Sequence, residues 1–79
     1  MNRKELAEEI VDFCNEYKIL SKNIEKSKIL EELEKVSFVE NLIHAIILKS
    51  TYRKNIDTER LKKLLVALEK ERLDLEYDK

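Results

Sequence analysis

The chain contains no glycine and no proline in 79 residues, where ordinary usage would supply roughly five or six of the first and four of the second. Without glycine there is no phosphate-cradling loop built on positive φ angles and no glycine-rich dinucleotide fingerprint. Hairpin turns that need glycine are also excluded. A chain of this kind folds through helices joined by polar connections, and the expected fold class is all-α.

Length sets the scale of the core, since a domain this small buries only about 60 to 65% of the surface its unfolded chain exposes. One α-helical domain spanning residues 1–79 is expected, and pairing with a second copy would add burial that the chain lacks. The charges nearly cancel, with 17 acidic against 16 basic residues. No apolar run approaches the ~18 residues of a membrane span, and residues 1–5 do not open a uniformly apolar leader. A cytoplasmic protein without a membrane partner is expected, and the one cysteine fits a reducing compartment. Twelve lysines and eight isoleucines against three alanines fit an AT-rich coding sequence. Small size and this bias would suit a phage or mobile-element gene.

Four segments carry helical periodicity. Residues 3–20 place Leu6, Ala7, Ile10, Val11, Phe13, Cys14, Tyr17 and Leu20 on one half of a helix, and Glu5, Glu8, Glu9, Asp12, Asn15 and Glu16 on the other. Asn2 followed three residues later by Glu5 is a capping-box pattern. The period lapses over Ser21 to Lys28, then Ile29, Leu33 and Val36 share a face. Ser37 and Glu40 repeat the capping-box spacing and predict a new helix from Phe38. One continuous helix over about 28–54 keeps the same phase and stays open as the alternative. Asp57 is a good N-cap for a last helix over 58–77, with Ile56 and Leu61 placed as a hydrophobic staple. A three- or four-helix bundle follows, with helix 38–54 as its spine and a C-terminal antiparallel hairpin made with helix 58–77.

Eight of the eleven residues from Phe38 to Leu48 are apolar, and they cover roughly 220° of the helical wheel. So much apolar surface must face several neighbours or a second chain. On the last helix Val66, Leu73 and Tyr77 lie nearly opposite the main stripe of Leu61, Leu64, Leu65, Leu68 and Leu75. These features predict a homodimer through Phe38, Val39, Leu42, Ile46, Val66, Leu73 and Tyr77.

Catalytic and cofactor chemistry finds little support. His44 is the one imidazole, and Glu40 precedes it by four residues rather than the three of the helical di-iron pattern. A phosphotransfer helix would leave open space where Ile47 and Leu48 stand. Glu5, Glu8, Glu9, Asp12 and Glu31, Glu32, Glu34 resemble helical magnesium-binding spacings, but they occupy polar faces laced with lysine. Cys14 sits on an apolar face with nothing nearby in sequence to activate it. No metal, cofactor or catalytic residue is assigned, and the expected function is a non-catalytic protein-binding module: a small regulator, inhibitor, adaptor or immunity-type protein. The alternative is a nucleic-acid-binding regulator. Lys49, Arg53, Lys54, Arg60, Lys62 and Lys63 gather in residues 49–63 against only Asp57 and Glu59, around a helix-turn-helix-like corner bearing Tyr52.

Overall fold

The computed structural model describes residues 1–77, and all of its regular structure is helical. Four helices follow one another: α1 (Arg3–Glu16), α2 (Lys26–Glu32), α3 (Val36–Thr51) and α4 (Thr58–Tyr77). The α1 N-terminus closes as the sequence predicts. Asn2 Oδ1 accepts from the Glu5 amide at 2.8 Å while the Glu5 carboxylate accepts from the Asn2 amide at 3.5 Å. Asp57 Oδ1 likewise accepts from the Arg60 amide at 3.1 Å and opens α4. Three otherwise orphaned donors at helix starts are satisfied in this way.

α1 stops four residues before its apolar periodicity does. Lys18 takes φ 52°, and the chain reverses so that the Ile19 amide donates to the Cys14 carbonyl at 2.9 Å. That bond spans the helix end as in a Schellman motif, whose left-handed residue is usually glycine. In a glycine-free chain a lysine takes the position, at a steric cost of about 1–2 kcal/mol. The reversal delivers Ile19, which a continued helix would turn away from the other apolar residues, fully into the core. Lys18→Gly is therefore expected to raise stability by about 1 kcal/mol, measured as an increase in urea midpoint with unchanged helical signal.

A break between the second and third helical segments is present, but it falls earlier than Ser37 and Glu40 suggest. α2 ends at Glu32, and Lys35 stands at the N-cap of α3 with no side-chain capping bond. The expected box at Ser37 lies inside α3. The two helices are separated by Leu33, Glu34 and Lys35, and Ile29 and Leu33 are fully buried.

All four helices feed one core. α1 contributes Leu6, Ala7, Ile10, Phe13 and Cys14, the turn adds Ile19, and α2 with its C-cap adds Ile29 and Leu33. α3 contributes Val39, Leu42 and Ile46, and α4 contributes Leu64 and Leu68. Helix 38–54 is expected as the spine; α3 packs chiefly on α4, α4 packs also on α1, and α1 packs also on α2, so the middle of the bundle is shared by α1 and α4. α3 buries one stripe and leaves Ile47 and Leu48 exposed. The Ser50 hydroxyl, buried near the end of α3, has no hydrogen-bond partner among the described residues. No helix among the described residues is long and apolar enough to cross a membrane.

Candidate interaction surfaces

The predicted interface residues separate into two groups. Val39, Leu42 and Ile46 are buried by the chain's own helices, and Phe38 is half-buried against the same core. α4 packs extensively on α3 and supplies neighbours from within the chain. Val66 and Tyr77 are the opposite case, 70% and 81% exposed, and Leu73 is also on the surface.

Val66 and Tyr77 line a groove of about 1070 Å³ between α4 and the start of α1. Its apolar surface comes from Met1, Leu6, Val66, Ala67 and Tyr77, and its charges come from Arg3, Lys62, Lys63, Lys70, Glu71 and Asp74. Arg3 is ion-paired to Glu71 across the groove, tying α1 to α4. Lys62, Lys63, Lys70 and Asp74 have no ion-pair partner among the described residues, and all four are exposed. Leu73 does not line this groove. A second exposed apolar strip, Ile47, Leu48 and Tyr52, lies on α3 near its C-terminus.

The basic corner is also divided. Lys49, Arg53 and Lys54 are exposed on and after the end of α3, whereas Lys62 and Lys63 belong to the α4 groove. Arg60 leaves the set of free cations altogether. Its Nη1 donates to Glu16 Oε1 at 2.8 Å, its Nε stands 3.9 Å from Glu9 Oε2, and its Cζ lies 5.6 Å from the Phe13 ring centroid. The Asp57 amide donates to the Tyr17 hydroxyl at 3.0 Å beside it. Arg60 and Tyr17 therefore clip the end of α1 to the start of α4, a structural job that sequence spacing over more than forty residues does not reveal.

The Arg60 hydrogen bond holds the Glu16 carboxyl below the usual carboxylate range. A depressed folded-state value stabilises the fold above the ordinary carboxylate range, and this stabilisation is lost as pH falls through the lower folded-state value. Arg60→Ala should remove about 1 kcal/mol at neutral pH, mainly through the Phe13 face and the packed arginine stem. An NMR titration of the Glu16 side chain should show its midpoint returning upward in this variant.

The remaining singled-out groups stay apart. His44 is exposed and shares a shallow cleft with Glu40, Ile43, Glu69 and Arg72, in which Arg72 already pairs with Glu69 and Glu76. Glu8 pairs with Lys26, and Glu32 with Lys28 and Lys35. Among the described residues no three His, Cys, Asp or Glu side chains gather in a metal-binding arrangement. Cys14 is buried, and burial pushes its thiol up to about 12, far from a reactive thiolate at neutral pH.

A scan against protein-family models and searches of curated proteins and of solved structures each return no match.

Proposed function

We propose that this chain is a non-catalytic protein-binding module of the regulator, inhibitor, adaptor or immunity type, acting in the cytoplasm through the α1/α4 groove. One observation carries the reading: Val66, Tyr77 and Met1 stand exposed around a groove with an apolar floor, on a chain whose other charged side chains form a solvated surface. Clustered apolar exposure rimmed by charge is the usual sign of a protein-docking surface. In this reading the chain is one domain, in which α3 and α4 act as an antiparallel hairpin. The shared cleft of Glu40, Ile43 and His44 with Glu69 and Arg72 supports that arrangement. α4 then presents its outer stripe from a firmly packed support.

Site-specific photo-crosslinking tests the reading in the cell. A benzophenone side chain at position 66 is expected to form protein adducts under illumination, and the same group at the exposed Lys22 is not. Nucleic-acid adducts, or no adducts at position 66, would contradict it.

The second reading, nucleic-acid binding, draws on the exposed Lys49, Arg53, Lys54, Lys62 and Lys63, which have no ion-pair partner among the described residues. It is the weaker one because Arg60 is engaged internally and the chain as a whole carries net charge −1. Affinity no tighter than about 10⁻⁵ M at physiological salt is expected, near the non-specific range. Nanomolar, sequence-dependent retardation in a mobility-shift titration would reverse the ranking.

A further inference from the structure

The outward stripe of α4 is polarised. Lys62 and Lys63 lie toward its N-terminal end, Val66 and Ala67 follow, and Asp74 and Tyr77 lie toward its C-terminal end. Glu71, between them, is already neutralised by Arg3. Lys70 is also free, so the free charges along the stripe are the cations Lys62, Lys63 and Lys70 followed by the anion Asp74, positive toward one end and negative toward the other. Such a stripe is complementary to a copy of itself turned end for end, which is the relation a two-fold axis imposes on identical surfaces.

We infer that the occupant of the groove is α4 of a second copy of this chain, packed antiparallel across a two-fold axis with Lys63 of each copy opposite Asp74 of the other. This inference rests on the reading of the groove as a protein-docking surface and names its partner. Lys63 and Asp74 are eleven residues apart, about 16 Å along the helix. Placing them opposite each other puts the axis midway between, level with the Leu68–Glu69 peptide. Ala67 then lies close to the axis, where a small side chain lets two helices approach closely. Val66 and the stem of Lys70 cover the apolar ground on either side. The parallel alternative sets Lys63 against Lys63 and Asp74 against Asp74, and like charges facing each other oppose it. In the antiparallel arrangement each α4 enters the groove between the other copy's α1 and α4. The result is a four-helix layer in which Met1, Val66 and Tyr77 exchange water for apolar neighbours.

Sedimentation equilibrium of the full chain at about 1 mM, well above the concentrations at which a contact of moderate strength dissociates, tests the inference directly. The expected mass is twice the 9.5 kDa of one chain. Lys63→Glu alone and Asp74→Lys alone should each sediment as monomers, because each sets like charges against each other twice across the axis. An equimolar mixture of the two variants should recover a dimer-sized species, as one of its two charge contacts is restored in opposite sense and the other keeps a Lys–Asp pair. Both positions are exposed, so circular dichroism should show unchanged helical content in each variant. A wild-type monomer, a dimer untouched by either reversal, or a mixture that stays monomeric overturns the inference. Protein adducts at position 66 whose mass is not that of two chains would leave the groove reading standing while this partner falls.

Discussion

Replacing Phe13 with alanine should remove about 3–5 kcal/mol of folding free energy, the largest effect of any single truncation we expect. A chain of this size has a total stability on the order of 4–12 kcal/mol, so the variant should be largely unfolded at a temperature where the wild type is intact. Three contacts are lost together. The ring is fully buried in the core, its centroid is 4.7 Å from that of Tyr17, and its face receives the Arg60 guanidinium. Without it the α1-to-α4 clip loses the surface on which Arg60 rests. Urea unfolding followed by circular dichroism measures the change. A loss below about 1 kcal/mol would mean that α1 does not pack as described.

Val39→Glu is the second large effect, and it distinguishes two roles for the apolar run in α3. Val39 is fully buried in the single chain, so the variant must bury an unpaired carboxylate or unfold. Either course costs several kcal/mol on typical burial penalties. The expected result is loss of helical signal at neutral pH, with partial recovery under conditions that protonate the new side chain. A folded monomer with full helical content would instead show that Val39 faces a partner, as the sequence taken alone suggests.

The helices were legible wherever a capping side chain coincided with a change in apolar phase. α4 begins after Asp57 as predicted, and α1 begins at its Asn2–Glu5 box. The end of α1 was not legible because the usual sign is glycine and the residue used is Lys18. Nothing in the local pattern marks Ile19 as core, since only the reversal turns it inward. The α2–α3 break has no side-chain cap to announce it, and the apolar phase runs through Val36, Val39 and Ile43 as if the helix were continuous. On the surface, Val66 and Tyr77 stood out because they fall off the phase of the main stripe. Leu42 and Ile46 misled because a helix apolar on most sides has the same pattern whether its neighbours belong to its own chain or another. The groove joins the first residues to the last helix, and Arg60 meets Glu16 across 44 positions. Such pairings arise from the packing of α1 on α4 and leave no signature in residue spacing.

The inferred pairing of two copies along the outer stripe of α4 should dissociate on dilution. The most direct test is a dilution series of amide spectra of the ¹⁵N-labelled chain from about 1 mM to 10 μM. At these concentrations a contact of moderate strength, in the usual range for small protein interfaces, passes from formed to broken. The amides of Lys63, Val66, Ala67, Lys70, Asp74 and Tyr77 are expected to shift together, while those of Lys49, Arg53 and Lys54 stay in place. Shifts confined to the basic corner or to Ile47, Leu48 and Tyr52 would contradict this pairing, as would a spectrum that does not change with concentration.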